Sequence, residues 1–239
     1  MASDPHDWPQ PFPAETLADY YSEKLAAERL KQVYDLAPGP VRRYLTAEIA
    51  YVQARLPTGG RVLELGCGYG RVLKALAIQA DFLVGIDSSY PSLGLARDYL
   101  ADVPAVMLAR MDAVHLAFPP ATFDLVCCLQ NGISAFQVDQ RALIEAAVAV
   151  TRSGGGVLFS SYADIFWEHR LAWFRLQAAH GLLGEIDEAA TGNGVITCKD
   201  GFRATTVSPD RFRALARGLG RRITIETVAD ASVFCEIRV

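Results

Sequence analysis

The stretch RVLELGCGYG at residues 61–70 decides the fold of this chain. A short apolar run of strand character leads directly into three glycines, Gly66, Gly68 and Gly70, and a helical pattern follows as far as Ala80. Glycines allow the backbone to turn tightly and to approach a ligand closely. A glycine turn between a strand and a helix predicts a ligand site at the carboxyl end of the strand.

An acidic residue ends the next apolar run. Residues 82–86 have strand character, and Asp87 follows them directly. A carboxylate at the end of the second strand can accept hydrogen bonds from both hydroxyls of a ribose. The glycine turn and Asp87 together predict a cofactor of the nucleoside type.

The rest of the chain continues the alternation of strands and helices. Further strand-like runs lie at 105–109, 123–129 and 155–161, with helical patterns at 91–100 and 139–152. Continuous apolar strands that alternate with helices predict a parallel sheet covered on both faces, and hence an α/β protein. Two runs at 222–228 and 233–239 are joined by a short turn, which predicts an antiparallel pair.

The flanking segments divide the chain into regions. The four prolines of residues 1–13 predict an extended or disordered arm, and residues 14–58 predict two N-terminal helices. Residues 59–239 form the main domain, with an insertion at about 164–207. That insertion begins with a helical pattern and continues with short strands between glycine turns, so we expect a helix and a small antiparallel sheet that cap the site.

Composition excludes several classes of protein. The chain has 239 residues, 51% hydrophobic and 21% charged, which is typical of a globular protein. Its net charge of −4 gives no basic surplus for binding phosphates, so we expect no nucleic-acid partner. No apolar run is long enough to cross a bilayer, and the first residues lack the pattern of a signal peptide. Five cysteines without a Cys-x-x-Cys pair predict buried thiols, a cytoplasmic location and no metal site.

The glycine pattern leaves alternatives for the cofactor. A phosphate-binding loop of the Walker type needs a Gly-Lys pair, and the chain contains none. A dinucleotide site needs its third glycine one position later, where Arg71 stands. An oxidoreductase linked to nicotinamide adenine dinucleotide is therefore the minor alternative.

Five segments resemble the class I S-adenosylmethionine-dependent methyltransferases, in particular the small-molecule enzymes of types 11 and 25. They are Val62–Arg71, Gly85–Ser89, Met111–Ala113, Phe123–Val126 and Thr151–Leu158. The resemblance covers roughly residues 60–162. It implies a Rossmann-like, seven-stranded, mostly parallel sheet with an antiparallel last strand, and S-adenosylmethionine as cofactor.

The same resemblance implies a set of cofactor-binding residues. Gly66–Gly68 would pass beneath the methionine part, Asp87 would hold the ribose, and Asp112 would accept from the adenine amino group. Glu64 would order the glycine turn, whereas Arg71 pairs either with an acidic neighbour or with the cofactor carboxylate. The complete implied set is Glu64, Gly66, Cys67, Gly68, Gly70, Asp87, Ser88, Met111, Asp112, Ala113, Leu129 and Gln130.

A sulfonium donor is already activated, so the main task of such an enzyme is to orient the acceptor in line with the methyl–sulfur bond. Orientation can contribute about 7–11 kcal/mol, and a general base is needed only when the acceptor arrives protonated. The catalytic residue is therefore left open, with Tyr21, Asn131 and His169 as candidates.

Candidate acceptor contacts lie on segments expected above the carboxyl edge of the sheet. They are Tyr20, Tyr21, Asn131, Tyr162, Trp167 and Arg203. Each has a structural alternative: core packing for the aromatic residues, a turn for Asn131 and a solvated sheet face for Arg203. The Asp/Asn-Pro-Pro-Tyr motif of enzymes that methylate amide or adenine nitrogen is absent from this chain.

The sequence thus predicts an enzyme, monomeric or homodimeric, that transfers a methyl group to N, O, S or C of a small molecule. An alternative from another class is a cofactor-binding regulatory or partner subunit without catalytic activity. Product formation from a labelled donor discriminates between the two.

Overall fold

A computed structural model describes Tyr20 and residues 24–239 of the chain. The predictions for the arm at 1–13, for the start of the first helix and for Tyr21 lie outside the described residues. From Lys24 onward, the description is continuous to Val239.

Seven strands form the central sheet, in the order β3-β2-β1-β4-β5-β9-β8. They are β1 (Gly60–Leu65), β2 (Ala80–Asp87), β3 (Val106–Arg110), β4 (Phe123–Cys128), β5 (Thr151–Tyr162), β8 (Arg222–Val228) and β9 (Ser232–Arg238). The first five strands are mutually parallel, whereas β9 lies antiparallel between β5 and β8. The predicted seven-stranded, mostly parallel sheet with an antiparallel last strand is confirmed.

Eight α-helices flank the sheet within the described residues. They are α1 (Glu28–Asp35), α2 (Gly39–Gln53), α3 (Arg71–Leu76), α4 (Tyr90–Tyr99), α5 (Gly132–Ala135), α6 (Gln140–Val150), α7 (Trp167–Ala179) and α8 (Pro209–Ala216). Local sequence explains several of their starts, because a short polar side chain caps the first free N–H groups. The Ser89 hydroxyl accepts from Ser92 N, and the Asp139 carboxylate accepts from Arg141 N and Ala142 N.

Two boundary predictions are wrong. The helix predicted to extend to residue 152 ends at Val150, and β5 begins at Thr151 rather than at residue 155. The three glycines at 154–156 made the start of this strand unrecognisable in the sequence, because glycine is depleted in strands. Pairing defines this start instead: Thr151 lies opposite Phe123 of β4, and Gly154, with a left-handed φ of +79°, donates its N–H to Val239 O at 2.7 Å.

The insertion is less regular than the sequence indicates. A short 3₁₀-helix (Asp164–Phe166) and α7 open it, and its antiparallel sheet contains only β6 (Ile196–Thr197) and β7 (Arg203–Ala204). The run predicted as a strand at 184–187 contributes one isolated bridge, between Ile186 and Cys198. Hydrophobic burial rather than strand pairing therefore holds most of this segment.

Three buried clusters account for the packing. Helices α6 and α8 cover one face of the sheet, and α2, α3 and α4 cover the other. A third cluster joins the N-terminal helices to the insertion, through residues such as Tyr44, Trp173 and Phe202. The indole nitrogen of Trp173 also donates to Val33 O at 3.1 Å. The N-terminal helices and the insertion thus form one packed layer, which we call the cap layer.

Candidate functional site: the glycine turn and the cap layer

The glycine turn can be formed only by glycine at its three positions. Gly66, Gly68 and Gly70 have φ angles of +73°, +53° and +88°, in the region that other residues rarely adopt. A Cβ at Gly66 would lie 2.4 Å from the Phe136 ring, and one at Gly70 would lie 2.6 Å from Leu100. The turn is therefore held by both backbone conformation and close packing.

Asp87 lies against this turn, as predicted. Its Oδ2 accepts from Gly68 N and its Oδ1 accepts from Ser89 N, both at 2.8 Å. Burial raises the pKa of Asp87, and these two hydrogen bonds oppose the shift. Each carboxylate oxygen keeps a lone pair for a further donor, which fits a pair of ribose hydroxyls.

The predicted adenine segment follows β3. Met111 N donates to Asp87 O at 3.2 Å, which places this segment beside Asp87. Asp112 accepts from Val114 N at 3.0 Å, and its other oxygen lies 2.9 Å from Nδ1 of His115. Asp112 is exposed, so its carboxylate is accessible from solvent.

Behind the glycine turn lie buried polar atoms without partners. Glu64 Oε2 and the Nε and Nη2 atoms of Arg71 have no hydrogen-bond partner among the described residues. Burial raises the pKa of Glu64 to about 8, although the Arg71 guanidinium opposes the shift. Buried polar groups are almost always paired in native proteins, and an unpaired one costs about 1–3 kcal/mol. These atoms therefore mark a place for a polar ligand.

The Arg71 guanidinium is suited to an anionic group. It lies 4.9 Å above the ring of Tyr34, which is on α1, and no described residue forms an ion pair with it. The two free N–H groups could donate side by side to one carboxylate. The guanidinium therefore suits a carboxylate ligand, and which of the two partners left by the sequence it takes stays a prediction.

Helix α1 closes over this region through Tyr34. The Tyr34 hydroxyl donates to Oε1 of Gln130, and its ring lies 5.9 Å from that of Tyr69. Burial raises the pKa of Tyr34, so its hydroxyl stays protonated and acts as a donor. The sequence gives no spacing motif for this residue, and sequence reasoning missed it.

The turn after β4 has a strained backbone. Gln130 and Asn131 have φ angles of +52° and +65°, two successive left-handed residues that are not glycine. Such residues persist only where their surroundings hold them, and they cluster at functional sites. Here Oε2 of Glu48 accepts from Gln130 N at 3.1 Å.

Both amide atoms of Asn131 are engaged by the protein. Its Nδ2 donates to Thr205 O at 2.8 Å, and its Oδ1 accepts from Ser161 Oγ at 2.7 Å. Ser161 also accepts from Val207 N. Asn131 therefore joins the insertion to the sheet and lies in a left-handed turn, and its role as an acceptor contact stays a prediction.

The remaining predicted acceptor residues are scattered. Tyr20 is buried, donates to Asp200 and accepts from Gly184 N, within the cap layer. His169 is exposed on α7, Trp167 is half-buried, and Arg203 is half-buried on β7. Only Tyr162 lies beside the buried polar residues of the site, with its ring 5.2 Å from that of Tyr44.

Neither a metal cluster nor a membrane span is found in the part of the chain that the structure describes. In residues 24–239 and Tyr20, no three His, Cys, Asp or Glu side chains are grouped so that they could hold a metal ion. Over the same residues, every helix is too short or too polar to span a bilayer. A depression of about 460 Å³ between the 114–120 loop and the end of α6 is open to solvent, and neither the glycine turn nor Asp87 lines it.

Comparison with known proteins shows what the chain is similar to. Residues 62–155 match the model of a methyltransferase domain. Phosphatidylethanolamine N-methyltransferase of Cereibacter sphaeroides is 36% identical over 136 residues, which cover 54% of this chain and 63% of that protein. Ubiquinone biosynthesis O-methyltransferase of Xylella fastidiosa is 28% identical over 125 residues, which cover 51% of this chain and 50% of that protein. These matches confirm the resemblance of residues 62–155 to the S-adenosylmethionine-dependent methyltransferases.

Solved structures show the same fold as this chain. A SAM-dependent methyltransferase from Aquifex aeolicus aligns with a TM-score of 0.59 at 12% identity, over 87% of this chain and 96% of that one. The PH0226 protein from Pyrococcus horikoshii aligns with a TM-score of 0.61 at 18% identity, over 92% and 97%. The chain spans 50–63% of the length of the first two curated relatives it matches. S-adenosylmethionine is the cofactor of the family, and the choice left open by the glycine pattern is resolved in its favour.

Proposed function

We propose that this protein transfers a methyl group from S-adenosylmethionine to a small-molecule acceptor. The observation that carries the proposal is the glycine turn with Asp87 on one side and the unpartnered atoms of Glu64 and Arg71 on the other. This arrangement offers acceptors for a ribose, a close backbone surface, and donors for a carboxylate. A nucleoside linked to an amino acid has these groups in this order.

The residues of the chain would bind and orient the donor rather than activate it. When bound, S-adenosylmethionine supplies a methyl group on a positively charged sulfur. Asp87 would accept from the ribose hydroxyls, and Arg71 would donate to the carboxylate of the methionine part. Tyr34 and the rest of α1 would exclude water above it, which strengthens each of these polar contacts.

Two observations support a small acceptor. The turn after β4 is joined to the cap layer by the Tyr34–Gln130 and Asn131–Thr205 hydrogen bonds, and a covered site of this kind favours a small acceptor. The relatives named above are an N-methyltransferase of a phospholipid headgroup and an O-methyltransferase of ubiquinone biosynthesis, as their names state. Their names differ in the atom methylated, so they do not decide between nitrogen and oxygen.

Calorimetry with S-adenosylhomocysteine tests the cofactor site. We expect Asp87→Ala to weaken binding by about 10- to 100-fold, because two hydroxyls lose a charged acceptor. Asp81→Ala is the matched control, since Asp81 is exposed near the other end of the same strand. Unchanged affinity in Asp87→Ala would show that the carboxylate is misassigned. No binding by the unmodified protein would refute the proposed function.

Incubation with labelled donor separates an enzyme from a binding-only subunit. The enzyme transfers label to a metabolite acceptor, whereas a regulatory subunit binds S-adenosylhomocysteine and transfers none.

A further inference from the structure

A second buried polar cluster surrounds Glu48 on α2. Glu48 is fully buried, and its two carboxylate oxygens accept from Gln130 N and from the Ser232 hydroxyl. Arg71 is close enough to oppose the rise in the pKa of Glu48 that burial causes. Glu48 therefore adjoins the proposed cofactor site, on the side of the cap layer.

Two hydroxyl groups beside this carboxylate lack well-formed hydrogen bonds. The Tyr44 and Ser160 hydroxyls are buried and form no hydrogen bond of good geometry with a described residue, although the Tyr162 hydroxyl and the Glu48 carboxylate lie beside them. Tyr44 lies one turn before Glu48, on the same face of α2. Ser160 lies on β5, next to the Glu48 carboxylate, and opposes the rise in its pKa. Two hydroxyls without well-formed hydrogen bonds around one carboxylate are a second sign of a ligand site, distinct from Glu64 and Arg71.

Aromatic rings enclose this cluster. The ring of Tyr44 lies 5.2 Å from that of Tyr162 and 5.4 Å from that of Phe166. The faces of aromatic rings carry negative potential and attract cations. The Arg170 guanidinium lies 4.7 Å from the Tyr162 ring, so these rings already accommodate one positive charge. A buried carboxylate among aromatic rings favours a positively charged group.

We propose that Glu48, Tyr44 and Ser160 form the acceptor subsite, and that the atom methylated is an amine nitrogen. This inference rests on the proposed function. An ammonium group donates to a carboxylate and to hydroxyl oxygens, which are the groups that this cluster offers. A carboxylate acceptor would instead place like charge against Glu48.

The geometry gives Glu48 a chemical task. An ammonium nitrogen has no lone pair, so one proton passes from it to the Glu48 carboxylate before the methyl transfer. The nitrogen–methyl bond then forms as the sulfur–methyl bond breaks, and the products are a methylammonium compound and S-adenosylhomocysteine. Glu48 returns its proton to solvent when the products leave. Burial raises the pKa of Glu48, which favours its acceptance of this proton.

The class of acceptor is tested with labelled S-adenosylmethionine and matched compounds. The first set shares one ring: 2-phenylethylamine, 4-ethylphenol and phenylacetate. A wider library of primary and secondary amines follows, each with its matched alcohol and carboxylate. We expect label in amines and none in their matched partners. Preferred methylation of a hydroxyl or carboxylate would overturn the inference, as would a protein that binds S-adenosylhomocysteine but accepts no amine. Failure to bind S-adenosylhomocysteine would instead refute the proposed function.

Glu48→Gln tests the base with the best amine found. We expect transfer to fall by about 100-fold or more, whereas affinity for S-adenosylhomocysteine stays the same. Calorimetry on the complex with S-adenosylhomocysteine should show about 10-fold weaker amine binding, because an ionic contact is lost. Retention of the wild-type rate in this variant would contradict the role of Glu48.

The pH profile separates a base from a structural residue. In the wild type, kcat/KM should fall as the pH drops through the pKa of Glu48, and Glu48→Gln should lack this limb. The titratable and charged groups that face Glu48 are Tyr44 from α2, Arg71 from α3, Cys127 and Cys128 from β4, and Tyr162 from β5. Burial raises the pKa of both thiols, so neither should add a limb below neutral pH. An identical limb in Glu48→Gln would assign it to another group.

Two further variants distinguish an effect on the acceptor subsite from misfolding. Glu236→Gln removes a buried carboxylate on β9 that pairs with Arg55 and Arg238, away from the cluster, and should leave transfer unchanged. Tyr44→Phe removes only a hydroxyl without a well-formed hydrogen bond, so it should fold and raise the KM for the amine by about 5- to 10-fold. An unchanged KM in Tyr44→Phe would remove this hydroxyl from the acceptor subsite.

Discussion

The glycine turn and the acceptor cluster lie side by side, but the chain builds them in different ways. The turn and its partner Asp87 come from one continuous segment, β1 to β2, and their contacts join residues about twenty positions apart. The cluster around Glu48 joins α2 to Gln130, Ser160 and Ser232, which lie far along the chain. A site made from neighbouring segments shows as a motif, whereas a site made from distant ones does not.

The glycine turn should be the part most sensitive to change. We expect Gly66→Ala to abolish detectable binding of S-adenosylhomocysteine. Its Cβ would meet the Phe136 ring at 2.4 Å, and its φ of +73° alone costs about 1–3 kcal/mol. Calorimetry and urea unfolding measure the two effects.

Gly94→Ala is the matched control, because a Cβ at this position in α4 meets nothing within 4 Å. It should gain up to about 1 kcal/mol in stability, as expected for glycine in a helix interior. Phe136→Leu in the Gly66→Ala background should recover part of the loss. No recovery would mean that backbone conformation, and not the ring, excludes alanine.

The second largest effect is expected for Arg71, which lies between the glycine turn and the Glu48 cluster. We expect Arg71→Met to weaken S-adenosylhomocysteine binding by about 10-fold, through the loss of charge-assisted hydrogen bonds to a carboxylate. The same change should leave the free energy of unfolding equal or higher, because it removes a buried charge that has no ion-pair partner among the described residues.

5′-Methylthioadenosine, which lacks the carboxylate, sharpens this prediction. Its affinity should be the same for the wild type and Arg71→Met. An equal loss for both compounds would show that Arg71 shapes the turn instead of binding the carboxylate. Arg71→Lys should retain part of the affinity, since it keeps the charge without the bidentate geometry.

The smallest effect on cofactor binding is expected for Asn131, which contacts the cap layer far along the chain. Asn131→Gly keeps the left-handed backbone but removes the hydrogen bonds to Thr205 O and Ser161 Oγ. We expect a loss of about 1–3 kcal/mol in the free energy of unfolding, with little change in S-adenosylhomocysteine affinity.

A double-mutant cycle with Ser161→Ala measures this coupling. Positive coupling between the two changes would confirm that they act through one contact. A large loss of transfer without a loss of stability would instead support the alternative of Asn131 as an acceptor contact.

Prediction from sequence was most successful where the physics is local. The run at 61–65, the glycines and Asp87 specify a strand, a turn and an acid within one segment, and the structure brings them together as expected. The same holds for the order of strands and helices, since hydrophobic period and capping residues act over a few positions. The first residues of β5 were not predicted as strand, because their pairing depends on Val239, at the other end of the chain.

Sequence reasoning was less successful for the residues on the acceptor side of the site. Asn131 was found as a candidate, but its partners Thr205 and Ser161 show that it ties the insertion to the sheet. Tyr34, Tyr44 and Glu48 were missed because each lies on an amphipathic helix, where a tyrosine or a glutamate is ordinary. Glu48 differs from a surface residue only because its side chain is fully buried and the hydroxyl groups beside it lack well-formed hydrogen bonds.

The sequence by itself determined the α/β sheet, the glycine turn and the position of Asp87, because these depend on backbone conformation and hydrophobic period within short segments. S-adenosylmethionine as cofactor followed from the resemblance of five segments to a known family. The tertiary structure decided which polar side chains are buried together, since this depends on how α1, α2 and the insertion pack over the strand ends. Burial converts Glu48 and Arg71 from ordinary charged residues into groups that require a partner. The acceptor subsite that we propose is therefore a property of the packing of distant segments.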